Sequence, residues 1–99
     1  MYRQGDILLR KIGKLPSGLS KKDKIIAWGE ATGHHHRFDE NNKNVIVLTD
    51  TDGKQYVQVL EPSELIHEEH VNQIIPEGNY EVIQQREYDI VEGIRKVMD

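Results

Sequence analysis

Apolar residues in this chain come in short runs with a period near two, the repeat of a strand and not of a helix. Asp6 to Ile12 holds Ile7, Leu8, Leu9 and Ile12, with branched side chains on both parities, as suits a strand covered on both faces. Ile25 to Ala31, Val45 to Thr49, Gln55 to Leu60 and Tyr80 to Tyr88 read as further strands, and Leu65 to Val71 fits either a strand or a turn. Turn chemistry separates them: Leu15-Pro16-Ser17-Gly18 with a charged loop to Lys24, Glu61-Pro62-Ser63-Glu64, and Pro76-Glu77-Gly78-Asn79. Asp52-Gly53 is a two-residue hairpin signal, and the polar stretch Asp39 to Asn44 is expected to close another hairpin. This alternation predicts one all-β domain over residues 1–99, a small antiparallel β-barrel or β-sandwich. The tail reads two ways: Asp89 with Glu92 resembles a capping box and Ile90, Ile94 and Val97 have helical spacing, whereas Gly93 favours an extended end.

Composition narrows the function more than the fold. A formal charge of −4 removes any global attraction to nucleic acid or to an anionic membrane. The one basic run, Lys21-Lys22-Asp23-Lys24, reads as a solvated turn. No stretch is apolar enough to span a bilayer or to act as a signal peptide, so a cytoplasmic protein is expected. There is no cysteine, which excludes disulfides and thiolate metal sites and leaves imidazole and oxygen as the available metal ligands.

All five histidines fall in two clusters, His34-His35-His36 and His67-Glu68-Glu69-His70. Imidazoles concentrated in this way point to metal binding or proton transfer. On a regular strand, Ile26, Trp28, Glu30, Thr32, His34, His36 and Phe38 share one face. The need to cover Ile26, Trp28 and Phe38 then turns His34 and His36 inward, while a bulge at Gly29 or Gly33 would reverse that parity. Two imidazoles with α-carbons roughly 6.5–7 Å apart can share one metal ion. The second cluster is one residue short of H-E-x-x-H and is not that helical motif. As a strand it sends one histidine inward; as a turn it can aim His67 and His70 the same way. Either one or both complete the expected ligand set of His34, His36, His67 and His70 around a divalent transition metal, zinc above others.

Three imidazoles leave a fourth position for water, whose pKa the metal lowers. The expected chemistry is then a hydrolase or hydratase of a small-molecule substrate. Glu68 or Glu69 moves the proton or orients a histidine, and Arg86 or Tyr88 holds an anionic group. The rival is a structural metal site, or a metal-free module that binds a partner or its own copy as a homo-oligomer. A histidine pH sensor is a third reading.

Gly29 to Arg37, Leu65 to His70, Pro76 to Val82 and Gln85 to Tyr88, with Gln4-Gly5-Asp6, together resemble a family of small bacterial and phage proteins with the pattern T-G-H-x-H-R. That resemblance implies His34 and His36 as the meaningful pair and carries no activity. A looser resemblance is to cupins, through H-x-H and the Pro76-x-Gly78 turn. Here, however, the later histidines precede the Pro-x-Gly turn, and Asp39 and Glu40 fit the cupin carboxylate poorly.

Overall fold

The computed structural model describes residues 1–28 and 33–84. Among the described residues there are ten strands: β1 (Tyr2–Gln4), β2 (Ile7–Ile12), β3 (Ser20–Lys22), β4 (Ile25–Trp28), β5 (His35–Arg37), β6 (Val45–Thr49), β7 (Gln55–Val59), β8 (Ser63–Leu65), β9 (Gln73–Ile75) and β10 (Gly78–Gln84). Six form one antiparallel sheet in the order β1-β2-β10-β7-β6-β3, and β4-β5 and β8-β9 are two-stranded ribbons. The ribbons are joined where Arg37 and Ile66 exchange backbone hydrogen bonds of 3.0 and 2.8 Å. The large sheet is open, with β1 and β3 at its two ends, so the all-β expectation holds as a sandwich-like packing and not as a closed barrel. Among the described residues there is no helix, and hence none long and apolar enough to cross a membrane. The expected C-terminal helix falls outside the described residues.

The period-two pattern shows directly in burial. Ile7 and Leu9 of β2, Val45 and Val47 of β6, Val57 and Val59 of β7, and Tyr80 of β10 are buried on one face of the large sheet. Register aligns them, with Val45 opposite Val59, Val47 opposite Val57, and Tyr80 opposite Val57. The ribbons lay Ile26, Ala27, Phe38, Leu65 and Ile75 onto that face to close the core. Each buried aliphatic side chain contributes roughly 1.5–3 kcal/mol of transfer free energy, so even this small core drives the packing of the layers. On the other face of β10, Glu81 pairs with Arg10 and, at 3.3 Å, with Lys54.

Three expectations need correction. Asp39 to Asn44 does turn, with the Asn42 N–H donating to the Asp39 carbonyl, but it closes no hairpin. β5 pairs back onto β4, and the turn hands the chain from the ribbon to the large sheet. Trp28 does not face the core: it is 61% exposed. A register shift between Ile25 and Ala27 buries both Ile26 and Ala27, so parity reverses before Trp28, earlier than the glycines where a bulge was anticipated. Trp28 instead stacks outside on His35, its cross-strand partner, with ring centroids 4.7 Å apart. Third, the tight turn expected at Asp52-Gly53 is a three-residue loop. Asp50 and Lys54 are joined by a 2.9 Å backbone bond, the Gly53 N–H donates to the Asp50 carbonyl, and Gly53 takes φ +87°.

Candidate metal centre

Three elements meet at the histidines. β5 carries His36 inward beside Phe38. The connection from β8 to β9 supplies His67 and His70 from a turn, so both reach the same place. The β1–β2 turn closes the third side. Its two residues are Gly5 at φ +59° and Asp6, between the paired Gln4 and Ile7. A positive φ at the first central position alone is the pattern of a type II′ hairpin turn, which suits glycine.

His36, His67 and His70 each offer a ring nitrogen, and these nitrogens lie within 4.8 Å of one another. The His36 and His67 ring centroids are 4.3 Å apart, and those of His67 and His70 4.5 Å apart. His36 and His67 are buried, and His70 is exposed at the rim. His34 stands further out, edge-on to His67 at 5.9 Å, with its Nδ1 3.2 Å from Glu69 Oε1. His35 points away on the outer face, as the sequence anticipated. Gly5 makes space for His70, because a β-carbon there would sit 2.5 Å from His70 Nε2.

Hydrogen bonds fix the chemistry of each ring. Buried Gln4 donates from Nε2 to the carbonyls of Leu65 (2.8 Å) and Val71 (3.1 Å), which settles the orientation of its amide. Its Oε1 therefore accepts from His36 Nδ1 at 2.9 Å. On the other side of the ring, His36 Nε2 faces Asp6 Oδ1 at 3.2 Å, and Gln84 donates to Asp6 Oδ2 at 3.1 Å. The Glu69 N–H donates to His67 Nδ1 at 3.0 Å, so the proton of a neutral His67 sits on Nε2.

Electrostatics keeps the inner imidazoles neutral. Burial, then the neighbouring His67, push His36 down from 6.5 to about 4 against the pull of Asp6. His67 is lowered by burial and by His70, with Glu68 and Glu69 opposing. Asp6 is held below its ordinary value: burial opposes this, but hydrogen bonds from Gln84 and its own backbone and the nearby His36 outweigh it.

Of the carboxylates singled out in the sequence, Glu68 turns to the outer side. It accepts from the His35 N–H at 2.8 Å and from Arg37 at 2.5 Å. Burial disfavours its charge, yet those two partners and its own N–H hold it at about 2. Glu69 is largely exposed beside His34. Arg86 and Tyr88 lie outside the described residues. Gln4 and Asp6 entered the sequence reading only within the Gln4-Gly5-Asp6 stretch of the family resemblance and not as site residues. Arg37 and His35 also line an outer cleft of about 380 Å³ with Lys24, Asp39 and Ile66, apart from the three clustered histidines.

Fold and site together define a small all-β domain with a cluster of inward imidazoles. The chain belongs to the family described as Domain of unknown function (DUF8820), which matches residues 3–85. No curated protein and no solved structure matches it.

Proposed function

We propose that this protein binds one divalent transition metal, zinc before others, through His36, His67 and His70. The observation that carries this reading is the convergence of three ring nitrogens within 4.8 Å, two of them on buried rings held neutral. Metal ligation needs an unprotonated nitrogen: His36 offers Nε2 while its Nδ1–H is held by Gln4, and His67 would release the Glu69 N–H from Nδ1 to become a ligand. Asp6 adds negative charge next to His36, which favours a cation at that place. His34, with Glu69 behind it, stands ready as an outer partner.

Two uses of such a metal follow. As a clip, it ties β5 to the β8–β9 connection, beside the β1–β2 turn of the large sheet. Two-stranded ribbons are marginal alone, so the clip would add stability where the fold most needs it. As a catalyst, it would activate a water on the solvent side, where His70 and Asp6 are partly exposed, for a hydrolase or hydratase reaction. In that use Asp6 is better placed beside the centre than Glu68, whose carboxylate is engaged by Arg37.

The test is metal quantitation on protein purified without a histidine tag. We expect about one zinc per chain in the wild type and a large loss in His36→Ala. Equal, negligible content in both overturns the reading. Activity toward ester and carbon dioxide substrates that tracks zinc content favours the catalytic use, and zinc-dependent stability alone favours the clip.

A further inference from the structure

The most informative side chain near the histidines is Gln4. It is 2% exposed, sits on a strand far from both histidine clusters in sequence, and bonds through its amide to His36 and to the two residues that flank the second cluster. Its two N–H groups reach Leu65 and Val71, the residues that bracket the turn carrying His67 and His70. One amide therefore holds that turn at both ends. Its oxygen, with no alternative orientation left to it, faces His36 Nδ1 at 2.9 Å and competes for the ring proton with Asp6 Oδ1, which faces Nε2 at the longer distance of 3.2 Å.

We propose that Gln4 is the positioning residue of the histidine site: it selects the Nδ1–H form of His36, makes Nε2 that ring's ligating atom, and sets the spacing of His67 and His70 against it. Zinc-bound histidines commonly donate their second ring N–H to an oxygen that fixes ring orientation and tautomer, and an amide oxygen serves as well as a carboxylate or carbonyl. Gln4 adds something a simple acceptor cannot. The same planar group that orients one ligand also gauges the distance to the other two. A glutamate at this position would keep the acceptor and lose both donors. An apolar residue of equal length would lose all three bonds.

The inference rests on the metal reading for its functional meaning, but its first test does not need a metal. Long-range proton–nitrogen correlation spectra of the metal-free, isotope-labelled protein report which imidazole nitrogen bears the proton. We expect His36 in the Nδ1–H form at pH 7.5, and finding the Nε2–H form overturns the proposal.

The second test uses zinc competition against a chromogenic chelator. Gln4→Met should weaken zinc binding by about 10- to 100-fold, the range for losing an outer partner of a ligand. It should also abolish the tautomer preference. Gln4→Glu should keep the Nδ1–H form while amide exchange speeds up in residues 66–71. A Gln4→Met protein that binds zinc within about threefold of wild type overturns the positioning role. A wild type that binds no zinc overturns the metal reading instead, and the tautomer measurement still decides what Gln4 does to His36. Because that measurement is made on the wild type, a variant that fails to fold leaves the proposal falsifiable.

Discussion

Gly5 shows how a residue without a side chain takes part in the candidate site. Its backbone occupies φ +59°, and its missing β-carbon leaves the space that the His70 ring fills. Gly5→Ala should therefore lose about 1–2 kcal/mol from the backbone alone and displace His70 as well. Chemical denaturation measures the first effect and zinc affinity the second. A D-alanine introduced by chemical ligation serves as the control. It accepts a positive φ and replaces the other α-hydrogen, so it should spare the backbone term that L-alanine incurs.

His36 makes a second residue-scale prediction. Its value of about 4 in the folded protein lies below the ordinary 6.5, so the folded state binds fewer protons than the unfolded chain between those values. The metal-free protein should hold its full stability above pH 6.5 and lose it as pH falls toward 4. The loss attributable to this ring is on the order of 3 kcal/mol, and His67 adds in the same direction. Urea midpoints at pH 7.5, 5.5 and 4.5 give the test, and a flat profile contradicts it. Glu68 runs differently: Arg37→Ala should raise its carboxyl from about 2 toward the ordinary glutamate value, read by carbon-13 titration.

At the scale of elements, legibility in the sequence followed strand length and burial. β2, β6, β7 and β10 were readable because each gathers several branched or aromatic residues within five or more consecutive positions. β1 and β3 have three residues each, too few for a period to register, and β3 lay hidden in a lysine-rich stretch. Trp28, expected on the covered face, lies outside instead. Ile26 and Ala27 are both apolar and small enough to turn inward together, so nothing in the pattern signalled the register shift between β4 and β5. The inward placement of His36 was reached because Phe38, two residues on, lies beyond that irregularity. The part played by Gln4 and Asp6 was not readable, since it depends on pairings across more than 60 residues in the case of Gln4. Element-scale packing also yields a stability prediction. Leu9→Ala removes a fully buried side chain from the core face of β2 and should cost about 2–5 kcal/mol in equilibrium unfolding. Trp28→Ala, on the exposed stack with His35, should cost far less.

For the whole molecule, the candidate centre stands where the large sheet meets the two ribbons. If zinc acts as a clip, saturating metal at a hundred times Kd should add about 2.7 kcal/mol. The gain in amide protection should concentrate in β4, β5, β8 and β9, read by hydrogen exchange with and without chelator. Uniform gains across the large sheet would point to a metal bound elsewhere. The connectivity of that sheet has a consequence in time. β2, at residues 7–12, finds its long partner only in β10, at residues 78–84. At the usual pace of protein synthesis that interval lasts about 4–14 s. During it, the first hairpin and its Gln4 wait beside histidines whose counterparts have yet to be made. If the histidines hold a metal, a three-ligand shell forms only once His70 has followed His36 and His67 out of synthesis.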